Sequence, residues 1–107
     1  MAKKEITLRK PQAAILVSLM RSRRKYHTRA QVAELSQVDP TKIGDYAGPR
    51  PENQTPKARE RYNFDNLVEL RFLKVETHDI DGRDKMVYTI TPKGRDRAKQ
   101  EAKSRGI

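Results

Sequence analysis

Basic side chains are the residues of this sequence whose type and spacing most clearly indicate chemistry. Four of them follow an apolar stretch in close succession: Arg21, Arg23, Arg24 and Lys25. The chain carries 24 Lys and Arg against 14 Asp and Glu, a formal net charge of +10 in 107 residues. Such an excess favours a polyanionic partner, with nucleic acid as the first expectation and an anionic membrane surface as the second.

The positive charge is concentrated at the two ends of the chain. Residues 1–27 contain eight Lys and Arg against one acid, and residues 91–107 contain six against two. Residues 64–90 contain four against six. We expect the extreme ends to be flexible, and the basic run at 21–25 also complements the negative end of the helix dipole that precedes it.

Catalytic and metal-binding patterns are weak. The chain has no cysteine, which excludes thiol catalysis, disulfides and thiolate metal sites. His27 and His78 stand alone, without the spacing of a metal-ligand pair. Asp79-x-Asp81-Gly82 begins like a calcium loop, but Ile90 occupies the position of the bidentate Glu. We therefore predict a protein that is not an enzyme and that carries no cofactor.

The length and hydropathy of the chain indicate one domain over residues 1–107, with an ordered core over 9–100. Hydrophobic residues make up 35% and charged residues 36% of the chain, so the core is thin. No apolar run approaches the ~20 residues that a membrane-spanning helix needs, and no signal-peptide pattern follows Met1. These observations predict a cytoplasmic protein without a membrane partner.

Local signals divide the first half of the chain into three helices. Pro11 suits the first position of a helix over 11–22, in which apolar residues recur at helical spacing. A second helix over 28–36 begins with the capping-box spacing of Thr28 and Gln31. Asp39-Pro40 begins a third helix that runs to about Ala47.

The second half is predicted to be a loop, a helix, a hairpin and a last helix. Residues 48–57 contain three prolines and no large apolar residue, which predicts a surface loop. A helix then follows from about Ala58, with its apolar face formed by Phe64, Leu67, Val68 and Leu70. Alternating residues on both sides of the Asp81-Gly82 turn predict two strands, and Thr91-Pro92 begins the last helix.

The order of these elements predicts an α+β, mainly α fold: a three-helix core with a β-hairpin wing and a C-terminal helix. Two segments carry the closest resemblance to a known family. One is the helix-turn-helix of residues 28–43, and the other runs from Leu67 through the hairpin to Tyr88-Thr-Ile-Thr-Pro-Lys-Gly-Arg95. In both segments the chain resembles the winged helix-turn-helix regulators of the MarR-like and PadR-like kind.

The resemblance implies that the chain binds double-stranded DNA through a recognition helix and the wing. If the recognition helix is the third one, Thr41, Lys42 and Asp45 share its outward face and lie where base edges are read. If the later helix enters the groove instead, the candidates are Arg59, Arg61, Tyr62 and Asn63. Arg83 at the wing tip is expected in the minor groove, with Lys85 beside it, and Arg29 is expected to contact phosphate together with Arg23, Arg24 and Lys25.

Two other functions and one assembly state remain open at this stage. A basic winged helix also suits an RNA-binding module, and the net negative charge of residues 64–90 suits a protein-interaction module. A homodimer is expected because Ala98 and Ala102 give the last helix little to bury except against a partner, and because the resembled regulators pair on two-fold sites. The sequence identifies neither an operator nor an effector.

Overall fold

The computed structural model describes residues 7–49, 56–61 and 64–106, and for 58, 59 and 61 only the backbone. Helices precede and follow a small sheet. The elements, in chain order, are α1 (Lys10–Arg21), β1 (His27–Thr28), α2 (Arg29–Ser36), the 3-10 helix η1 (Pro40–Lys42), α3 (Ile43–Tyr46), α4 (Pro56–Arg61), β2 (Leu73–Ile80), β3 (Arg83–Ile90) and α5 (Pro92–Arg105).

Local capping signals account for most of the helix starts. Thr28 Oγ1 accepts from the Gln31 amide and Gln31 Oε1 accepts from the Thr28 amide, so the predicted capping box of α2 is present. The Asp39 side chain accepts from the Thr41 amide at 2.9 Å and begins η1. Thr91 Oγ1 accepts from the Gly94 amide at 2.9 Å and begins α5.

The sheet is antiparallel, and β3 lies between β1 and β2. The register of the hairpin runs from Leu73 opposite Ile90 to Ile80 opposite Arg83. Asp81 and Gly82 both have positive φ, 54° and 78°, which is the conformation of a two-residue type I′ turn. The turn predicted from the Asp-Gly pair is therefore present.

The strand β1 was missing from the sequence-based prediction. His27 pairs with Tyr88 and Thr28 pairs with Val87, so the two residues before α2 form the edge of the sheet. The His27 ring is buried, and its Nε2 lies 2.6 Å from Ser22 Oγ. Burial and the nearby Arg24 guanidinium lower the pKa of His27, which favours a neutral ring at this position.

The core lies where α1 packs on α2 and α5. Ile15, Leu16 and Leu19 of α1 are buried, and Ala98 of α5 is completely buried in contact with the same cluster. The last helix therefore packs on α1 within its own chain, contrary to the expectation that it has little to bury except against a partner. The helix also extends to Arg105, beyond residue 100 where the ordered core was expected to end.

An ion-pair cluster around the buried Glu101 fastens α5 to the residues just before α1. Arg97 Nε and Arg105 Nε donate to the Glu101 carboxylate at 2.9 and 2.7 Å, and Arg105 Nη2 donates to the Leu8 carbonyl at 2.9 Å. Burial raises the pKa of Glu101, but the hydrogen bonds from Arg105 and Arg97 outweigh it and hold the pKa below its usual value. Glu101 is therefore a charged acceptor shared by two arginines.

The helix predicted through Phe64 and Leu70 is wrong. The helix α4 ends at Arg61, and residues 67–71 form a separate single turn. Asn66 and Glu69 cap that turn reciprocally, at 2.9 and 3.1 Å. Arg71 then closes it in the left-handed conformation, φ 63°, with the Phe72 amide bonded to the Leu67 carbonyl. The apolar spacing is real, but it buries one turn rather than a helix face.

The loop predicted over 48–57 is shorter at its far end, because Pro56 and Lys57 already belong to α4. Pro at the first position of a helix loses no hydrogen bond, so the third proline begins this helix rather than breaking it. Residues 50–55 of the predicted loop lie outside the described residues, as do residues 1–6 of the expected flexible ends.

Gly94 lies where α5 approaches the backbone before β2 closely. A Cβ on this residue would lie 2.0 Å from the Phe72 carbonyl oxygen and 3.0 Å from Ile90 Cγ1. The first turn of α5 therefore contacts the backbone at the start of β2, where Thr91 Oγ1 also donates to the Arg71 carbonyl at 2.7 Å. Only glycine fits between the helix and this turn.

We expect Gly94→Ala to destabilise the protein by about 1–3 kcal/mol or more, because overpacking against backbone cannot relax through a rotamer change. Gly44→Ala is the control: its Cβ would meet only the Pro49 carbonyl at 3.6 Å, an ordinary contact. Alanine favours helix over glycine, so this change should add up to about 1 kcal/mol. Urea unfolding of both variants measures the difference, and equal midpoints would contradict the packing described for Gly94.

Candidate nucleic-acid interface

Residues 40–46, formed by η1 and α3, are the short helical segment on which the sequence places a recognition helix. Thr41 and Lys42 are exposed and Asp45 is half-buried. Asp39 Oδ1 accepts from both the amide and the hydroxyl of Thr41, at 2.9 and 2.8 Å. These bonds, together with the nearby Lys42 ammonium, lower the pKa of Asp39. The hydroxyl proton of Thr41 is thus engaged within the chain, while the Lys42 ammonium is exposed.

The carboxyl end of this segment is held by residues from three other parts of the chain. Gln12 of α1 is buried and its Nε2 donates to the Tyr46 carbonyl at 3.1 Å and to the Asp65 carbonyl at 2.9 Å. Tyr88 of β3 donates its hydroxyl to the Gly48 carbonyl. Gly48 has φ +97°, and a Cβ there would lie 2.6 Å from Asn66 Oδ1. The segment therefore ends where the chain must turn sharply.

The chain returns to the same place after residues 49–65. The amides of Leu67 and Val68 donate to the carbonyls of Tyr46 and Ala47, at 3.1 and 2.9 Å. Because Gln12 donates to the carbonyls of both Tyr46 and Asp65, the residues that flank the segment between them are fixed to α1 as well as to each other. The position of α3 is consequently set by tertiary hydrogen bonds.

Arg29 and Lys85 lie together, although the sequence separates them widely. Both line a cleft of about 330 Å³ between the amino end of α2 and β3, with Thr28, Ala30 and Met86. The Arg29 side chain also reaches Tyr88: burial raises the pKa of the Tyr88 hydroxyl, and the charge and hydrogen bond of Arg29 oppose that rise. Two cations therefore lie beside the α2 amino end, which itself attracts anions.

The wing tip presents Arg83 among carboxylates. Arg83, Asp81 and Asp84 are exposed, and Asp84 lies directly opposite Asp79 across the hairpin. Like charges in this cross-strand arrangement destabilise a hairpin, so the pairing is unfavourable in the free protein. Arg83 is the basic residue nearest the tip.

Lys42 also borders a second cleft, on the other side of the helix-turn-helix. This cleft of about 300 Å³ lies between the start of α1 and the turn after α2, and Lys10, Val38 and Tyr46 line it with Lys42. Tyr46 stacks on Phe64 with ring centroids 5.7 Å apart, and the Arg9 guanidinium lies 5.1 Å from the Phe64 centroid. These contacts join α1, α3 and residue 64.

The structure brings some of the predicted site residues together and leaves others outside. Arg29 and Lys85 share one cleft, and Arg29 lies near Tyr88, whose hydroxyl donates to the carbonyl of Gly48, two residues after α3. Arg59 and Arg61 belong to α4 by their backbone, and Tyr62 and Asn63 lie outside the described residues. The alternative that the later helix enters the groove is therefore not tested.

The sequence analysis missed Gln12 and Tyr88. Gln12 is a polar residue at the third position of α1, just before the apolar part of that helix. Tyr88 lies among core residues on β3. Each is buried with its polar atoms bonded to a distant backbone carbonyl. A buried polar side chain needs such a partner, but the sequence does not say which one.

Comparison with known proteins identifies the fold. No known family's sequence profile matches the chain, and no curated protein matches it in sequence. Among solved structures, a variant of Lactococcus lactis ZitR superposes with a TM-score of 0.59 at 22% identity, covering 96% of this chain and 56% of that one. The chain thus spans little more than half the length of ZitR.

The fold is a winged helix-turn-helix, as predicted. The α2–η1–α3 segment is its helix-turn-helix and the β2–β3 hairpin is its wing. A likeness at this level of identity establishes the fold and not the narrower MarR-like or PadR-like family. Among the described residues, none of the helices combines the length and apolar character needed to cross a bilayer.

We expect Tyr88→Phe to destabilise the protein by about 1–3 kcal/mol, because it leaves the Gly48 carbonyl without its buried donor. Amide exchange at Leu67 and Val68, which pair with the end of α3, should accelerate in the same variant. Tyr26→Phe is the matched control, because Tyr26 is 39% exposed. Its free energy of unfolding in urea should stay within about 0.5 kcal/mol of that of the parent. An unchanged midpoint for Tyr88→Phe would show that the bond does not hold α3.

Proposed function

We propose that the protein binds double-stranded DNA with residues 40–46 and the wing, and that it regulates transcription in the cytoplasm. One observation carries the proposal: Arg29 and Lys85 line a single cleft between the amino end of α2 and β3 in a winged helix of net charge +10. In this fold a helix in the major groove and a hairpin in the adjacent minor groove contact one duplex. Exposed cations at the amino end of α2 and on β3 suit the phosphate backbone of such a duplex.

The residues of the 40–46 segment divide by chemistry. The exposed Lys42 ammonium suits the guanine O6 and N7 acceptors of the major groove. The hydroxyl proton of Thr41 is held by Asp39, so its methyl group is the part that suits a thymine methyl. Asp45 suits the cytosine amino group and repels a misplaced phosphate.

The remaining candidate residues suit contacts with the phosphate backbone and the minor groove of the DNA. Arg29 and Lys85 suit phosphates, which fix the register of the protein without reading sequence. Arg83 suits a narrow minor groove, where the negative potential is strongest. The carboxylates of Asp79, Asp81 and Asp84 oppose non-selective attraction at the tip, so Arg83 has to be placed by groove shape rather than by charge alone.

A homodimer remains a prediction with reduced support. The last helix packs on α1 within its own chain, so it no longer calls for a partner. The argument that remains is that a single short recognition segment reads few base pairs, and two-fold pairing doubles the contact. Sedimentation at high concentration decides between the 12.4 kDa monomer and the dimer.

Two single variants test the proposal, titrated against duplex DNA selected from a random pool and against scrambled duplex. Lys42→Ala removes a base contact, so it should cost ~1–3 kcal/mol on the selected site and relax preference at one position. Arg83→Ala should weaken binding to all sequences, most where A·T-rich steps flank the site. The two effects differ because one residue reads bases and the other reads groove shape.

Controls separate DNA binding from the alternative functions. For the unaltered protein, the logarithm of the binding constant should fall linearly with the logarithm of the salt concentration, with a slope of about −0.9 for each phosphate contacted. The protein should also bind single-stranded RNA of matched sequence more weakly than duplex DNA. Lys74→Ala is the matched control for charge, because Lys74 pairs with Glu76 at 2.8 Å on β2. If neither variant changes binding, or if RNA binds as tightly as duplex, the proposal fails and the RNA or protein-interaction module replaces it.

A further inference from the structure

A second basic surface lies on α5, outside the proposed interface. Arg95, Lys99 and Lys103 recur every fourth residue and are all exposed. The opposite side of the same helix, with Gly94, Ala98 and Glu101, is buried. Residues four apart lie one above another on a helix, so the three cations form one ridge, here called the α5 ridge.

The charge of the α5 ridge exceeds what the acids of α5 offset. Glu101 faces inward and is shared by Arg97 and Arg105, so it does not offset the outward cations. Asp96 is the remaining acid of this helix; it is exposed three residues before Lys99, so it offsets one of the three cations and leaves a net positive ridge. Like charges four residues apart destabilise a helix, so packing gives no reason for this pattern. The ridge adds to a chain that is already strongly cationic.

The α5 ridge lies away from the recognition segment. The helix α5 packs on α1, α1 packs on α2, and α2 packs on η1 and α3. Because the buried side of α5 faces α1, the ridge faces away from α1. A duplex lying along residues 40–46 and the wing would therefore leave the ridge uncovered.

The basic run after α1 lies near the start of α5. Arg105 donates to the carbonyl of Leu8, just before α1, and α1 packs along α5, so the end of α1 lies near the start of α5. Arg23, Arg24 and Lys25 follow α1 and are exposed.

We propose that the α5 ridge binds the phosphate backbone of a second DNA duplex, so that the protein bridges two duplexes. The inference rests on the proposed function, because the first duplex occupies residues 40–46 and the wing. Eight residues of helix span about 12 Å, a length over which one DNA strand carries three to four phosphates, about one for each ridge cation. Such binding is non-selective for sequence, because the ridge contacts only phosphates.

Bead capture tests the bridging. A biotinylated duplex on beads is saturated with protein, washed, and mixed with a labelled duplex of unrelated sequence at low salt. Captured label is counted per mole of protein retained. We expect Lys99→Gln/Lys103→Gln to capture about tenfold less label, while its dissociation constant for one short duplex changes less than about threefold. The control Lys57→Gln/Lys74→Gln, which removes the same charge from exposed positions elsewhere, should capture as the parent does.

Each other outcome overturns the inference. If the parent binds a single duplex but captures no second one, bridging fails and the proposed function stands. If the parent binds no duplex, both fail. If the ridge variant captures normally, any bridging comes from two recognition segments of a dimer. If the ridge variant instead loses self-association in sedimentation, the ridge binds a second copy of the chain. If it loses binding to immobilised polyglutamate but not to DNA, the ridge binds an acidic protein.

Discussion

The end of α3 is the constraint on which the proposed interface depends. Residues 40–46 are too few to form a stable helix alone, since isolated helices shorter than ~12–15 residues are marginal in water. Gly44 within the segment weakens it further. The Gln12 amide of α1 donates to its last carbonyl, that of Tyr46, and the Tyr88 hydroxyl of β3 donates to the Gly48 carbonyl two residues further on. Tertiary hydrogen bonds therefore supply the order that local propensity does not.

The same constraint sets the wing relative to the helix-turn-helix. Tyr88, which bonds the end of α3, lies on the strand whose other end carries Arg83 and Lys85. One strand thus fixes both the segment proposed to read bases and the side chains proposed to meet the backbone. Gly94 and Thr91 then fasten the base of the hairpin to α5 through the Arg71 and Phe72 carbonyls. The wing is held at its base and free at its tip.

Local signals made most of the fold predictable. The Thr28–Gln31 box, Asp39-Pro40, Asp81-Gly82 and Thr91-Pro92 each act within four residues of the chain, and each begins or turns an element where expected. The strand β1 was not predictable in this way, because two residues carry no alternation and their pairing with β3 is entirely long-range. The helix predicted through Phe64 and Leu70 is wrong because a local pattern misled the prediction: apolar residues at helical spacing also fit a single buried turn.

The candidate site was predictable by residue type but not by grouping. The sequence motif predicts Lys42 and Arg83 as site residues, and both are exposed. Nothing local joins Arg29 to Lys85, because the β1–β3 pairing that brings them together was not foreseen. The hydrogen bonds of Gln12 and Tyr88 near the end of α3 could not be predicted, because the partner of a buried polar side chain is not evident from the sequence. Residue types could thus be predicted from the sequence, whereas the long-range hydrogen bonds that group them could not.

The central claim is that duplex DNA lies across the start of α2, residues 40–46 and the wing. Amide NMR titration of the free protein with less than one equivalent of duplex tests it most directly. The account predicts that the first resonances to shift are those of Arg29, residues 40–46 and residues 83–86, with Lys74 and Glu76 on β2 unaffected. First shifts confined to β2 or to α5, with residues 40–46 unmoved, would contradict it.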